Sequence, residues 1–382
     1  MTRCLTISLL TCTLLLGACA HRLAPAPLSE ADAAMQTMID KQQMPGGVLW
    51  IEQQGASHHA AFGQRAVAPQ AEVLSEDTLF DVASLTKPIV TASLVQILRE
   101  RGRLDIEAPL LRYLPECADG ELAHITLRQL LTHSSALPSG ISAASGWTGI
   151  DGALRTACGL KLQGTPGAVF RYSDVNFILL GIIVARTGGE PLEQLAQHLL
   201  FEPMGMRDSG YLPLQRFSAS RIAPTSREGE GGSFLRGVVH DPTARRMGGV
   251  AGHAGLFTTS ADLARFARML LNGGVSEDGK RILSTESVAL LTTPQSPPGI
   301  AVRGLGWDID SPYSRPRGKG YPKTSFGHTG FTGCAFWLDP TSHSFFVLLA
   351  NRVHPGGPTN TLPLYEQLGT AAAAAAGVQR NE

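Results

Sequence analysis

The sequence predicts an α/β protein of the α+β type, in which one sheet is interrupted by a mostly helical insertion. Strand-like runs lie near both ends of the 382-residue chain, whereas the stretch between them is patterned for helices. A chain of this length exceeds what one hydrophobic core usually accommodates, so two lobes are expected. The hydrophobic content of 43% allows a sizeable core, and the formal net charge of zero gives no general field that would attract nucleic acid.

The amino-terminal segment, residues 1–18, is predicted to be a lipoprotein signal peptide. Arg3 precedes an apolar stretch, 5–16, that is too short to span a bilayer as an ordinary transmembrane helix. The stretch ends in Leu-Gly-Ala-Cys, which resembles the bacterial lipobox and makes Cys19 the predicted site of lipidation, by which the protein would contact a membrane. Because Ala20 is not the aspartate associated with inner-membrane retention, we expect an exported, periplasmic protein on the outer membrane. Ordinary signal cleavage with an unmodified Cys19 is the alternative.

The next elements lead to the candidate nucleophile. Residues 19–28 are predicted to be an extended linker, because they contain prolines that cannot continue a helix. A helix is predicted from Ser29 to about residue 43, with Asp32 placed for a capping-box contact. Strands are predicted at 48–53 and 60–65, followed by an extended lead at 78–82.

The remaining pattern divides the chain into a sheet domain, residues 29–96 with 251–378, and a helical domain, residues 97–250. Helices are predicted at 84–101, 127–131, 175–185, 192–200 and 361–376. Further strands are predicted at 305–309, 334–338 and 345–350. Because these strands are far in sequence from the first two, the chain must bring distant strands into one sheet.

Cysteine usage fits an exported protein but does not fix a disulfide. Once the signal and Cys19 are set aside, Cys117, Cys158 and Cys334 remain, so at most one pair can form and the sequence leaves open which. Metal-ligand spacings such as Cys-x-x-Cys or His-Glu-x-x-His do not occur in the sequence, so neither a metal nor another cofactor is predicted.

The string Ser84-Leu85-Thr86-Lys87 combines a candidate nucleophile with a candidate base. A serine hydroxyl is a poor nucleophile at neutral pH and needs a base within hydrogen-bond reach. If a helix begins at Ser84, then Ser84 and Lys87 share one face of its first turn, where Pro88 is tolerated. The spacing alone is common by chance, and the alternative is a helix-capping Ser84 beside a solvated Lys87.

Two further strings, Tyr172-Ser173-Asp174 and His328-Thr329-Gly330, follow in the order and at the wide separations of the penicillin-recognising serine hydrolases, which this chain resembles. The resemblance is closest to the branch of class C β-lactamases, DD-carboxypeptidases and esterases, and it covers nearly all of the mature chain. Segments 131–138 and 248–259 are similar to segments of that branch. The resemblance implies a β-lactamase/transpeptidase-like fold, which is an antiparallel sheet flanked by helices with an inserted, mostly helical domain.

The resemblance also implies catalytic roles. Ser84 would attack a carbonyl carbon and form an acyl-enzyme, with Lys87 as neutral base or Tyr172 as phenolate base; the sequence leaves this choice open. The backbone amides of Ser84 and Phe331 would form the oxyanion hole. Within the third string, Thr329 would donate a hydrogen bond to substrate, and Gly330 would let the strand edge approach closely.

Two residues depart from the commonest pattern. Asp174 stands where asparagine is most frequent, and a carboxylate only accepts, so it would either pair with Lys87 or prefer a substrate that donates there. His328 stands where many relatives carry lysine, so its attraction for a substrate carboxylate should be weaker and pH-dependent. Asn351 and Arg352 resemble residues near the carboxylate-binding end of the class C cleft, and Arg352 would suit a planar carboxylate.

These residues together predict a serine hydrolase that acts through an acyl-enzyme on D-alanyl or related cell-wall peptides. An esterase or a class C-like β-lactamase on the same machinery is the alternative, so the expected partners are a small peptide, ester or β-lactam and not nucleic acid. A β-lactam or muropeptide sensor that acylates without turnover stays open, because Asp174 and His328 could impair deacylation. The hydrolase elbow Gly-x-Ser-x-Gly is missing from the sequence, which disfavours an α/β-hydrolase.

Overall fold

A computed structural model of the chain describes residues 22–142, 146–229, 231–357 and 359–378. The predicted signal peptide and Cys19 lie outside the described residues. The strands are β1 (Gly46–Gln53), β2 (Ala56–Ala66), β3 (Glu72–Val73), β4 (Phe80–Asp81), β5 (Phe257–Thr258), β6 (Val302–Arg303), β7 (Asp308–Asp310), β8 (Phe326–Gly330), β9 (Cys334–Asp339) and β10 (Ser344–Ala350). Eight of them form one sheet in the order β3-β2-β1-β10-β9-β8-β7-β6, and β4 pairs separately with β5.

The first long strand, β1, pairs with the last strand, β10, near the centre of the sheet. β1 runs antiparallel to β10, with Val48 opposite Leu349 and Trp50 opposite Val347. The prediction that strands distant in sequence share an antiparallel sheet is therefore confirmed. The hairpin partners of these two strands, β2 and β9, extend the sheet on either side.

Helices cover both faces of the sheet. They are α1 (Pro25–Asp40), α2 (Ser93–Glu100), α3 (Leu127–Leu131), α4 (Gly149–Cys158), α5 (Asp174–Gly188), α6 (Leu192–Ala196), α7 (Glu202–Met204), α8 (Pro242–Arg246), α9 (Ser260–Leu271), α10 (Thr285–Thr292) and α11 (Leu362–Ala375). Successive side chains of β10 point to opposite faces, so Phe346 packs with α1 and α11 while Val347 packs in the core that contains α5. One hydrophobic core cluster continues across the predicted boundaries at 97 and 250, since it contains both Val347 and Phe177 of α5.

The first helix begins earlier than predicted. α1 starts at Pro25, within the segment expected to be linker, and Ser29 Oγ donates to the Pro25 carbonyl instead of capping a new helix. Prolines are tolerated in a first helical turn because the amide hydrogens there have no intrahelical partner. The Ala24 N–H donates to the Ala375 carbonyl at 2.9 Å, which ties the start of α1 to the end of α11.

The helix predicted at 84–101 is not uniformly α-helical. It starts as a 3₁₀ turn (Ala83–Leu85), continues as a π-helical segment (Lys87–Ala92) and becomes α-helical only in α2. The predicted strand 305–309 is likewise interrupted, since only its last residues belong to β7. The sequence pattern does not predict β8, the strand that carries the third motif, because its two glycines and its threonine interrupt the apolar residues.

Among the described residues, no single helix is long and apolar enough to cross a bilayer; a bent pair, 174–188 with 192–204, meets the length and composition criteria only when the two are taken together.

The disulfide that the sequence left open joins Cys117 to Cys158, whereas Cys334 is a buried free thiol. Cys158 ends α4, and the bridge closes a loop of 41 residues within the helical region. A cross-link of this length restricts the unfolded chain far more than the folded one.

Replacing both bridging cysteines, Cys117→Ser with Cys158→Ser, is expected to lower the free energy of unfolding by about 3–4 kcal/mol. Urea denaturation followed by fluorescence measures this change. A reductant should lower the stability of the wild-type protein to the level of the variant and leave the variant unchanged. Equal stability of the wild-type protein with and without reductant would contradict the bridge.

Candidate active site

Ser84 lies in the 3₁₀ turn that follows β4. Ala83 adopts a φ of +46°, a left-handed conformation that costs a non-glycine residue about 1–3 kcal/mol and that clusters at functional sites. The turn is held by two hydrogen bonds: the Ala83 N–H donates to Asp81 Oδ1 (2.8 Å), and Thr86 Oγ1 donates to the Ala83 carbonyl (2.7 Å). The backbone therefore presents Ser84 in one fixed direction.

Lys87 is fully buried and its ammonium contacts three groups. Nζ lies 2.9 Å from Ser84 Oγ and 3.1 Å from the His253 carbonyl, and it pairs with Asp174 Oδ1 at 2.7 Å. The three-residue spacing thus brings nucleophile and amine together even though the intervening turn is not α-helical. Asp174 is the first residue of α5, so a second element completes the contact.

The ionisation of Lys87 is decided by its partners. Burial alone would lower the pKa of Lys87, but Asp174 and the neighbouring Tyr172 together outweigh burial and raise the pKa above its ordinary value. Of the two roles open to Asp174, pairing with Lys87 is the one observed. Lys87 is therefore an ammonium at neutral pH in the free protein.

Tyr172 is held by a stack of rings. Its ring lies against His133, with centroids 4.4 Å apart, and Lys87 Nζ is 5.2 Å from its centroid. His133 comes from the segment 131–138 and is wholly buried; burial, aided by the nearby Arg303, Lys87 and His328, lowers its pKa well below the usual range. The neutral ring accepts a hydrogen bond at Nδ1 from the Ser173 N–H (3.1 Å), which fixes the backbone beside Tyr172.

His328 points into the site from β8 as a neutral imidazole. Its Nδ1 is 2.8 Å from the Thr329 carbonyl, and because a carbonyl only accepts, Nδ1 carries the proton and Nε2 keeps a lone pair. Burial, with the charges of Arg303 and Lys87, lowers the pKa of His328 well below its ordinary value. The partial charge expected from sequence is thus removed, and His328 gives no cation to the cleft near neutrality.

Gly330, at the end of β8, lies against the turn that carries the nucleophile. A Cβ atom at Gly330 would lie 2.3 Å from the carbonyl oxygen of Val82, so only glycine permits this approach. The contact brings Phe331 next to Ser84 at the edge of one cleft, in the neighbourhood that the resemblance assigns to an oxyanion hole.

The cleft is a cavity of about 280 Å³ that contains the nucleophile. Its lining comprises Ser84, Tyr172, Arg303, Asp308, Tyr313, His328, Thr329, Gly330, Phe331, Arg352, Asn360, Thr361, Leu362 and Tyr365. Lys87 is not part of this lining but contacts the nucleophile, and Asp174 in turn contacts Lys87.

The two residues expected at the carboxylate end behave differently. Arg352 lines the cleft, where its Nε donates to the Phe331 carbonyl (2.8 Å) and its Nη1 to the Thr359 carbonyl (2.5 Å). Asn351 is not part of the lining; its buried Nδ2 donates to the carbonyls of Arg65 and Pro224. The Asn351 amide therefore joins two segments that are far apart in the sequence.

Sequence reasoning missed a buried ion pair in the cleft wall. Arg303 has no exposed surface, and its Nη1 donates to Asp308 Oδ1 at 3.0 Å. Asp308 also accepts hydrogen bonds from Ser311 (2.5 Å) and Ser314 (2.8 Å). The sequence signals were two charged residues, Arg303 just ahead of the predicted strand 305–309 and Asp308 within it, and the pattern does not say whether such charges are buried.

Three histidines outside the motifs, His253, His58 and His240, have hydrogen-bonding partners among the described residues. His253 pairs with Asp241 at 2.9 Å, His58 with Asp32 at 2.8 Å, and the backbone of His240 donates to Asp81. Within the described ranges, no group of three or more His, Cys, Asp or Glu side chains is arranged to hold a metal ion.

The chain matches a known protein family and is similar in sequence to proteins of two bacteria. The family model described as Beta-lactamase matches residues 31–370. The chain is 34% identical over 308 residues to a protein of Escherichia coli K12 named "Putative D-alanyl-D-alanine carboxypeptidase", a match that covers 72% of this chain and 70% of that protein. A protein of the same name from Salmonella agona is 29% identical over 314 residues, covering 73% and 70%.

Solved structures share the fold. A class C β-lactamase superposes with a TM-score of 0.73 at 18% identity, covering 94% of this chain and 98% of that one. EstCE1, titled a hydrolase with promiscuous acyltransferase activity, gives a TM-score of 0.73 at 21% identity, covering 91% and 99%. The β-lactamase/transpeptidase-like fold, with an antiparallel sheet and flanking helices, is thereby confirmed.

Gly330→Ala is expected to lower the free energy of unfolding by about 1–3 kcal/mol, because the new methyl group meets the Val82 backbone. Hydrolysis of an activated ester should fall more than about tenfold, since β8 is pushed away from Ser84. Thermal melting and a colorimetric assay give the two values. Gly356→Ala is the matched control, because its Cβ would meet no atom within 4 Å; equal behaviour of the two variants would rule out the steric argument.

Proposed function

The chain belongs to the β-lactamase family of serine hydrolases, and from this premise we propose that it hydrolyses D-alanyl cell-wall peptides as a DD-carboxypeptidase or peptidase. The observation that carries the proposal is the 2.9 Å contact between the Lys87 ammonium and Ser84 Oγ, at a cleft that also contains Tyr172 and β8. The substrate class is supported by the name that the E. coli and Salmonella relatives bear.

The proposed reaction proceeds through an acyl-enzyme. Ser84 Oγ forms a bond to the carbonyl carbon as the bond from that carbon to the leaving D-alanine nitrogen breaks. Because Lys87 is an ammonium, we assign proton transfer to Tyr172, acting as a phenolate beside Lys87: it takes the Ser84 proton and passes it to the leaving amine. Water then attacks the acyl carbon, which releases the acid and restores the Ser84 hydroxyl.

A terminal carboxylate needs a cation in the cleft, and Arg352 provides one. His328 is neutral, so the third motif does not supply the charge. Arg352 lines the cleft beside the first turn of α11, and both a planar guanidinium and a helix amino terminus favour a carboxylate. The resulting arrangement suits a substrate with a free carboxyl terminus.

An esterase is the second candidate, because apolar side chains border the cleft. Tyr313, Phe331 and Leu362 line it with 48%, 51% and 39% of their surface exposed. An ester with an apolar acyl group would use these contacts and would need no carboxylate site. A class C-like β-lactamase and a non-turnover sensor share the acylation step and differ in how fast the acyl-enzyme is hydrolysed.

The substrate is tested with a D-Ala-D-Ala peptide and its carboxamide. The wild-type protein should hydrolyse the free acid, and Ser84→Ala should abolish this. Arg352→Gln should raise KM for the free acid at least about tenfold, the value of one charge-assisted hydrogen bond, without changing KM for the carboxamide. Arg315→Gln, an exposed arginine outside the cleft lining, is the control and should change neither.

The other readings give different results in the same assay. Turnover of short acyl esters alone would identify an esterase, and one equivalent of product without a steady phase would identify a sensor. Intact-mass analysis with a fluorescent penicillin should show an adduct on the peptide that contains Ser84. Absence of both adduct and turnover with every substrate would contradict the proposal.

The base is tested with Asp174→Asn, which removes the charge that raises the pKa of Lys87. Burial then dominates and the pKa of Lys87 falls. If Lys87 acts as an ammonium, the upper limb of the pH profile of kcat/KM moves to lower pH and activity at pH 8 drops. If neutral Lys87 is the base, the lower limb moves to lower pH and activity at pH 6 rises, which would contradict the assignment to Tyr172. Asp151→Asn, at an exposed position, controls for the loss of a charge.

A further inference from the structure

Asp81, the last residue of β4, is a buried carboxylate that is not part of the cleft lining. It is only 2% exposed, yet it makes contacts in three directions. Oδ1 accepts from the Ala83 N–H (2.8 Å) and Oδ2 from the His240 N–H (2.6 Å), while the Asp81 carbonyl accepts from Thr332 Oγ1 (2.6 Å). One residue thus connects three segments that are far apart in sequence.

Each of these segments borders the active site. Ala83 immediately precedes Ser84 and holds the left-handed conformation that aims it. The His240 ring stacks on Phe331, with centroids 5.5 Å apart and planes inclined by 25°, and Phe331 forms one wall of the cleft. Thr332 follows Phe331 directly. A shift of Asp81 would therefore move the nucleophile and the wall beside it together.

We propose that Asp81 is a positioning residue whose ionised carboxylate holds Ser84 and the His240–Phe331 stack in the reactive arrangement, and whose protonation releases one of its two side-chain contacts. The inference rests on the proposed function only in taking Ser84 as the nucleophile.

The chemistry of the two contacts requires the charged form. Two backbone N–H groups, from Ala83 and His240, point at the two oxygens of one side chain. A carboxylate accepts at both oxygens, whereas a protonated carboxyl carries a hydrogen on one oxygen, which then faces an N–H. Protonation therefore weakens one of the two contacts and frees the segment that it holds.

The charges around Asp81 put this change in an accessible pH range. Burial, the largest influence, and the carboxylate of Asp241 raise the pKa of Asp81. The two backbone N–H groups and Arg245 lower it, and the resulting pKa is about 6. The remaining titratable neighbours are the His240 ring and the buried thiol of Cys334, whose Sγ lies 3.9 Å from the Asp81 carbonyl. Below about pH 6, a growing fraction of molecules therefore loses one of the two hydrogen bonds that the Asp81 carboxylate accepts.

Activity and stability should respond to this protonation in opposite directions. The pKa of Asp81 is higher in the folded protein than its ordinary value of 3.8, so the folded state binds the proton more tightly than the unfolded chain. Through this group, stability rises as the pH falls from about 6 towards 4, while the positioning of Ser84 is lost. General acid unfolding would lower both together.

The test uses the near-isosteric variant Asp81→Asn, since an amide resembles the protonated carboxyl. Its first readout is the rate at which a fluorophosphonate labels Ser84, a reaction that forms the Oγ–P bond as fluoride leaves and needs no turnover; its second is kcat/KM for an aryl acetate. At pH 7.5 both should fall about 100-fold, the effect of a misplaced nucleophile. At pH 5 the wild-type rate should fall to within about tenfold of the variant, because one unit below a pKa of about 6 only about a tenth of the molecules keep the ionised carboxylate.

Asp262→Asn is the matched control. Asp262 is also buried, its pKa is also raised to about 6 by burial, and its Oδ2 accepts from the Asp208 N–H and from Ser209 Oγ, but it is not part of the cleft lining. Its variant should keep the wild-type pH profile of both readouts. A constant rate ratio between wild type and Asp81→Asn from pH 5 to 8, or an equal effect of Asp262→Asn, would overturn the proposal.

Folding of the variant does not decide the outcome. If Asp81→Asn fails to fold, the wild-type labelling rate and melting temperature are measured from pH 5 to 8. A labelling rate that falls near pH 6 while the melting temperature holds or rises supports the proposal, and a parallel fall of both overturns it. Absence of peptide turnover with intact labelling would count against the proposed substrate and leave the role of Asp81 supported.

Discussion

The burial of the Lys87 ammonium is the constraint on which the rest of the site depends. An ammonium without exposed surface costs several kcal/mol unless a counter-charge and further acceptors satisfy it. Asp174 and the His253 carbonyl provide them, and each comes from a different part of the chain. Because Asp174 begins α5, this one ion pair also sets where Tyr172, two residues earlier, lies beside Lys87.

Close packing of glycines makes these contacts possible. Gly252, next to His253, lies against α5, where a Cβ atom would be 2.2 Å from the Phe177 carbonyl; a Cβ at Gly181 would likewise be 2.7 Å from Gly252 Cα. The backbone of the glycine-rich segment can therefore lie directly on the helix and direct its carbonyl at Lys87. Thr91 Oγ1 adds a hydrogen bond to the Gly252 carbonyl at 2.6 Å, which holds the segment from the other side.

The sequence predicted the parts of this structure that depend on local pattern or on motif. The presence of distant strands in one sheet and the proximity of Ser84 to Lys87 follow from periodicity and spacing, whereas the antiparallel arrangement follows from the family resemblance. It could not predict the disulfide partner, since three cysteines allow three pairs, or the burial of Arg303, whose acceptor Asp308 becomes its neighbour only through the turn between β6 and β7. The partners of Asn351 could not be predicted for a related reason, because its amide donates to carbonyls of two distant segments, at Arg65 and Pro224.

The hydrogen bond between Ala24 and Ala375 determines where the first described residues lie relative to the cleft. It joins the first described helix to the far end of α11, whose opposite end borders the cleft. A helix of 14 residues is about 20 Å long, so anything attached ahead of residue 22 meets the body of the protein roughly that far from the mouth of the cleft. Because Ala24 and Ala375 lie side by side, both ends of the described fold are on the side of α11 that is away from the cleft.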